Sequence, residues 1–391
     1  MRAYLILEDG HVFEGTSIGS RREAVSEIVF NTSMTGYEEV LTDPSYSGQA
    51  VCMTWPLIGN YGICYSDQES LRPYMDGFIV HELSELPSNF RSSDTIQNFL
   101  KRYNVPGVAG IDTRALTKIL RESGTMNGMI TTDGSRIAED GRPQEEAMKL
   151  IRAYRTGCEV EKVTCTDTEF WPATDTRSGG VTSPAYTEAH QNAPAAGKVT
   201  GRKYRVALVD FGVKYNIIRS LNQRGCDVTV YPAWTKAEEI LKENPDGIML
   251  TNGPGDPADC PNEIREVKKL YDSDVPIYAI CMGHQLMALA TGAKTRKMKY
   301  GHRGGNHPVK DLENGRVYIT SQNHGYVVDT ESLDPAVAVP AYVNVNDGTN
   351  EGLKYIGKKI FTTQFHPEAC PGPQDSAYLF DRFISMMGGD Q

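Results

Sequence analysis

The chain has 391 residues, of which 39% are hydrophobic and 23% charged, with a formal net charge of -10 at pH 7. That is chain enough for two domains with separate cores, and its acidic balance excludes a general nucleic-acid binder. No apolar run approaches the ~18 residues of a membrane span and the N-terminus lacks a basic-then-apolar export pattern, so a cytoplasmic protein with no membrane contact is expected. Eight cysteines with no C-x-x-C pair read as reduced thiols rather than as a disulfide or zinc framework.

Residues 3–15 place two apolar runs around Asp9-Gly10, which predicts a β-hairpin. Asn31-Thr32-Ser33 has the form of a glycosylation acceptor but carries no weight, since only exported chains meet that machinery. Gly107 to Asp112 leads into Thr113 to Arg121, where Leu116, Ile119 and Leu120 share one helical face and Asp112 is placed to cap the first turn. The stretch 164–202, rich in Thr, Ser, Pro, Ala and Gly, reads as a connecting segment. The expected division is an N-terminal domain over 1–160, a linker over 161–203 and a second domain over 204–391. No internal repeat joins the two halves.

Beyond the linker, the apolar runs Tyr204 to Asp210, Asp227 to Tyr231, Gly247 to Thr251 and Pro276 to Ile280 alternate with helical patterns at Lys214 to Arg224, Lys236 to Glu243 and Pro261 to Tyr271. Such alternation predicts a parallel sheet covered by helices, with its ligand site at the carboxyl ends of the strands. Thr251-Asn252-Gly253-Pro254-Gly255-Asp256-Pro257 reads as a tight turn able to bring bare backbone against a substrate.

The run Val275 to Ala290 then drives a strand into Cys281 and on into a helix with Gly283 at its first turn and Leu286, Met287, Leu289 and Ala290 as an apolar stripe. An elbow of this kind aims its central side chain at the positive end of the helix, where a thiolate is favoured. Alone, a cysteine there is more often a buried structural residue. Further on, Lys294 to Lys299 reads as solvated surface, His302 and His307 flank Gly304-Gly305 in an expected loop, and Gln322 to Tyr326 reads as another polar loop. The histidine spacing fits no common zinc pattern, so no metal is expected. Lys359 to Phe365 is an apolar segment ending in His366-Pro367-Glu368, where a histidine can serve a thiol as base and a carboxylate two residues on can orient it. Alone this is a strand-ending turn; with the elbow cysteine it becomes a catalytic constellation. His324 is a weaker base candidate because it lacks the neighbouring carboxylate, and His284 is expected to pack or cap.

These motifs, over roughly residues 204–388, resemble the class I, triad-type glutamine amidotransferases. The resemblance implies a triad of Cys281, His366 and Glu368, which opens the side-chain amide of L-glutamine through a glutamyl thioester and releases ammonia. It also sets the loop 251–257 against the elbow, with the amides of Gly253 and Met282 as oxyanion donors. In the first half, Asn31 to Tyr37, Leu41 to Ser47, Gly110 to Arg114 and Met126 to Gly128 look like the N-terminal domain of the carbamoyl-phosphate synthetase small-subunit family. The fold so implied is α/β, a swivelling-type N-terminal β/α domain followed by an open, mostly parallel-sheet amidotransferase domain. The family's glutamine-binding positions fall on Ser45, Gly253, Gly255, Met282, Gln285, Asn323, Gly325 and Tyr326.

Ala279 and Phe365 depart from glycines common beside the nucleophile and the base, and Met282 and Tyr326 stand where relatives vary to leucine and phenylalanine. The resemblance further implies a carbamoyl-phosphate synthetase large subunit as partner. The chain itself has no P-loop pattern and is expected to need no cofactor, with ATP and Mg on that partner. The alternatives are an amidotransferase serving a synthetase that makes anthranilate or guanylate, which Ser45 and the first-half motifs oppose, and a binding subunit that lost its chemistry, which would ordinarily lack one of the triad residues.

Overall fold

The computed structural model describes residues 1–173 and 204–388, and the chain divides into two compact units, 1–157 and 158–391. The first unit holds β1 (Arg2–Leu7), β2 (Val12–Ser17), β3 (Ala24–Asn31), β4 (Gln49–Met53), β5 (Leu57–Ile58), β6 (Gly77–Val80), β7 (Glu82–Leu83), β8 (Gly107–Ala109) and β9 (Met126–Thr131), with helices α1 (Tyr37–Thr42), α2 (Ile96–Arg102), α3 (Thr113–Ser123) and α4 (Glu145–Ala153). β1 and β2 pair antiparallel across the Asp9-Gly10 turn, as the hairpin pattern predicts. Seven strands close into a barrel in the order β1-β2-β8-β6-β4-β3-β9, which leaves no open edge in that sheet. Val29, Val51, Met53, Phe78 and Val80 alternate into one core with Phe99 and Leu100 of α2.

The second unit is built on one ten-stranded sheet in the order β10-β12-β11-β13-β14-β19-β18-β17-β15-β16. Its strands are β10 (Glu169–Trp171), β11 (Tyr204–Asp210), β12 (Cys226–Pro232), β13 (Gly247–Leu250), β14 (Ile277–Ile280), β15 (Thr295–Asp311), β16 (Val317–Val328), β17 (Ala338–Asn344), β18 (Asn350–Tyr355) and β19 (Ile360–Thr363). The helices among the described residues are α5 (Val160–Val163), α6 (Tyr215–Asn222), α7 (Ala237–Lys242), α8 (Pro261–Asp272), α9 (Met282–Ala290) and α10 (Tyr378–Met386). The central run β12-β11-β13-β14-β19 is parallel. β14 shows why its apolar run is unbroken: Ile277 and Ala279 enter the core beneath α8 and α9, while Tyr278 and Ile280 enter the opposite core with α6 and α10. Tyr278 stacks on Phe361 of β19 at 4.3 Å between ring centroids.

Three expectations need correcting. The segment 158–173, placed largely in the linker, belongs to the second unit: Val160 and Trp171 are core residues, β10 pairs with β12, and the Cys165 amide donates to Asp210 Oδ2 at 2.7 Å. Residues 174–203 of the expected linker lie outside the described residues. His302 to His307 and Gln322 to Tyr326 are not loops but the paired middles of β15 and β16. Their apolar alternation is absent because their inward side chains are polar and bond to one another. Last, Ala288 joins Leu286 and Met287 in the buried stripe of α9, whereas Leu289 and Ala290 are only half-buried.

Asp112 caps α3 by accepting the Ala115 amide at 2.8 Å. Removing such a cap costs about 1 kcal/mol. Asp112→Ala should therefore lower the urea midpoint of the first unit's unfolding transition, and Asp112→Asn should restore most of it.

Candidate active site

Cys281 and His366 follow the carboxyl ends of adjacent parallel strands, in a register that pairs Ile280 with Thr363. The Cys281 amide continues that ladder by donating to the Thr363 carbonyl at 2.8 Å. The chain then turns through φ 52° and ψ -102° at Cys281 and enters α9. A side chain rarely adopts this left-handed backbone, and the elbow thereby lifts the thiol off the sheet onto the helix N-terminus. Gly283 makes the elbow possible, since a Cβ there would stand 2.6 Å from the Leu250 carbonyl oxygen. Its amide instead donates to the Thr251 carbonyl at 2.9 Å and ties the loop 251–257 to the elbow.

His366 leaves β19 with its amide donating to the Ser321 carbonyl at 2.9 Å. Its Nδ1 lies 2.6 Å from Glu368 Oε1, and both residues are 2% exposed. Nε2 has no hydrogen bond of its own and is the nitrogen left for the thiol. Burial alone would push this imidazole down, but the Glu368 carboxylate and then the Cys281 sulfur raise it, to about 10. Glu368 in turn is opposed by burial but drawn down to about 2, first by Lys214 and then by His366. The Lys214 ammonium stands 3.1 Å from Glu368 Oε1 with its side chain 3% exposed, and also donates to the Ala369 carbonyl. Asn216 donates to the Glu368 carbonyl. Cys281, His366, Glu368 and Lys214 thus form one buried line of polar groups. The line can hold a proton on the imidazole beside a sulfur nucleophile.

Around it, Cys281 Sγ approaches the Asn323 carbonyl at 3.8 Å. Gln285 spends its amide nitrogen on the Tyr326 carbonyl at 2.8 Å and Gln364 Oε1 at 2.9 Å, which leaves its own carbonyl on offer. Only glycine fits at 253, where a Cβ would stand 2.2 Å from the Phe211 carbonyl oxygen. Among the described residues, neither the Gly253 nor the Met282 amide is spent on a turn or loop hydrogen bond. Behind Asn323 and Tyr326, Gln322 Oε1 bridges His324 Nε2 and His302 Nδ1 at 2.9 Å each, and His302 Nε2 meets Asp347 at 3.0 Å. Burial and then the His302 charge push His324 well below its usual range. His324 therefore stays neutral behind the site, with Nδ1 on the Tyr326 carbonyl. Ser45 belongs to the first unit, in the turn Pro44–Tyr46, with its amide on Asp43 Oδ1 at 2.9 Å.

A family model described as glutamine amidotransferase class-I matches residues 207–386, and one described as carbamoyl-phosphate synthase small chain, CPSase domain, matches residues 5–130. A carbamoyl phosphate synthase small chain of Clostridium perfringens is 49% identical over 384 residues, covering 98% of this chain and 99% of that one. This chain belongs to the carbamoyl-phosphate synthase small-chain family. The small chain of Bacillus caldolyticus is 48% identical over 99% of this chain and 97% of its own length. The pyrimidine-specific small chain of Bacillus subtilis is 46% identical over 99% and 96%. The second unit of this small chain is thus a glutamine amidotransferase domain, part of a glutamine-hydrolysing enzyme.

The side chains at the two departures from common glycines are both buried. Ala279 is buried in the core under α9, and Phe365 turns away from the base to meet Tyr342 edge-on at 5.4 Å. His284 packs, as expected, with Nδ1 on Thr362 Oγ1 at 2.7 Å and burial pushing it down to about 3. Lys214 was not legible as a site residue, since a lysine before a helix reads as an exposed side chain.

Lys214→Met leaves Glu368 buried with His366 alone, a change of the kind that costs roughly 3–5 kcal/mol. Because the folded carboxylate is held below its unfolded value, its stabilisation is present above about pH 4.5 and lost as pH falls toward about 2. The variant should show a lower melting temperature at neutral pH and begin acid unfolding at higher pH than the wild type. Unchanged acid and thermal transitions would contradict this account of Lys214.

Proposed function

We propose that this small chain hydrolyses L-glutamine at Cys281 and supplies the ammonia to a carbamoyl-phosphate synthase large subunit. The buried contact of His366 with Glu368 at 2.6 Å, beside the elbow thiol, carries this reading. The Cys281 sulfur attacks the side-chain amide carbon. The oxygen that becomes negative takes hydrogen bonds from the Gly253 and Met282 amides. His366 Nε2 passes its proton to the departing nitrogen, so ammonia leaves and a glutamyl thioester remains. Water then attacks the thioester, His366 recovers a proton, and glutamate departs as the C–S bond breaks. Glu368 and Lys214 act through the imidazole and do not touch substrate.

The α-ammonium and α-carboxylate of glutamine call for carbonyls, amides and hydroxyls, which Gln285, Asn323, Gly255, Gly325, Tyr326 and Ser45 can offer. For Ser45 this role rests on the family resemblance. ATP and Mg belong to the large subunit, and this chain works without a cofactor of its own. Ammonia passes to that subunit by an enclosed route, which keeps it from being protonated in bulk solvent. The products fit a cytoplasmic enzyme feeding arginine and pyrimidine synthesis. Among the described residues, no helix is long and apolar enough to cross a membrane.

Glutamate and ammonia release should fall by at least 1000-fold in Cys281→Ala, with and without the large subunit, while ammonia-dependent carbamoyl phosphate synthesis by the complex survives. Wild-type release that ignores the large subunit would detach the amidase from carbamoyl phosphate. Free ammonia appearing in solution as fast as carbamoyl phosphate during coupled turnover would sink the enclosed route. Ser45→Ala should raise KM for glutamine about tenfold or more with a smaller change in kcat. An unaltered KM would return Ser45 to a turn residue.

A further inference from the structure

Two cysteines with no part in glutamine hydrolysis lie with their sulfurs 3.3 Å apart: Cys158, the first residue of the second unit, and Cys260, which caps the start of α8. They are 102 positions apart in the chain, so no local spacing betrays the pair. Beside them the described residues add only the Glu263 carboxylate, which leaves a tetrahedral zinc one protein ligand short of a closed structural site. From 3.3 Å the sulfurs need to approach by little more than 1 Å to reach the ~2.05 Å of a disulfide. Cys158 is half-buried and open to a small oxidant, whereas Cys260 is buried. Burial, and then contact with Cys158, pushes the Cys260 thiol up.

We infer that Cys158 and Cys260 form a reversible disulfide that acts on the loop 251–257. Hydrogen peroxide serves as the oxidant. The Cys158 sulfur attacks one peroxide oxygen, the O–O bond breaks, the other oxygen leaves as water with the thiol proton, and a sulfenic acid remains. The Cys260 sulfur then attacks the sulfenic sulfur. The S–S bond forms as the S–O bond breaks, and the hydroxyl leaves with the Cys260 proton as a second water. The two thiols have lost two electrons, and peroxide has taken them. A dithiol returns both cysteines to thiols by exchange.

The position of the pair gives the bond a consequence. Cys260 closes the turn Pro257–Asp259 directly after the loop, with its sulfur 4.0 Å from the Asp256 carbonyl oxygen. Glu159, next to Cys158, lies against Gly255, its Cβ 3.4 Å from where a Cβ on that glycine would stand. Closing the S–S distance draws the end of the loop toward 158–159, and Gly255, the loop residue against Glu159, is two residues from the Gly253 amide. A misplacement of ~1 Å in a site of this kind costs on the order of 100-fold. Since only part of the movement reaches Gly253, the effect expected is a fall in glutaminase of about tenfold. The effect on rate rests on the function proposed above; the bond itself does not.

The test compares the full chain with Cys158→Ser, each in complex with the large subunit, before peroxide, after it, and after dithiothreitol, with peptides mapped without reduction. Wild type should yield a peptide joining 158 to 260 and lose about tenfold in glutaminase, reversibly, while Cys158→Ser yields no such peptide and retains the larger share of its activity. Peroxide damage at Cys281 strikes both proteins alike and cancels in the comparison. No joined peptide at doses that oxidise other thiols overturns the disulfide. A joined peptide with equal residual activity in both proteins overturns the action on the loop. A reduced wild type that hydrolyses no glutamine defeats the proposed function, and the peptide map still decides the bond.

Discussion

The backbone pairing of Ile280 with Thr363 is the constraint on which the site depends. Residues far apart in sequence meet because β14 and β19 are parallel neighbours, so both chains arrive at the same edge of the sheet pointing the same way. One residue of slip would turn Ile280 from one core layer to the other and separate the thiol from the imidazole. The register is held by burial on both faces. Tyr278 and Phe361 stack in one layer, Ile277 and Ile360 sit in the other, and each such side chain contributes roughly 1.5–3 kcal/mol of burial. The strength of the hydrophobic core is therefore what positions the polar residues at its rim.

Those polar residues could not be buried singly. His366, Glu368 and Lys214 are each almost inaccessible, and a lone charge in any of their places would be expelled or neutralised. Placed in line, each makes its neighbour's charged form tolerable. The same logic recurs behind the site, where His302 sits between Asp347 and Glu351 and burial is outweighed until the imidazole is raised to about 9. Gln322 extends the second system, its single carbonyl serving both His302 and His324. The middle of strand β16 is thus stiffened from behind by charge and hydrogen bonding instead of by apolar packing.

That choice also explains what could and could not be read from the chain alone. The barrel's first hairpin, the cap at Asp112, the parallel strands and the elbow were legible because each rests on local rules: turn chemistry, helix spacing, apolar runs. Strands β15 and β16 were not, because histidine, asparagine and glutamine replace the apolar alternation that marks a strand. The start of the second unit was placed too late, at 204, for a related reason. Residues 158–173 are short of periodicity, yet Val160 and Trp171 are enough to anchor them to the second unit. Cys281, His366 and Glu368 stood out through motif and resemblance. Lys214 did not, since its role comes wholly from tertiary placement.

The backbone of Cys281, held at φ 52°, has a cost that no contact of its side chain removes. Such conformations are worth about 1–3 kcal/mol of strain outside glycine. Glycine in its place would relax the elbow while removing the sulfur, so on the mechanism proposed above the relaxed chain is an inert one. The small chain therefore stands below its own ceiling of durability by design of its chemistry. Any drift toward a hardier protein passes close to the loss of the reaction that gives the protein its use.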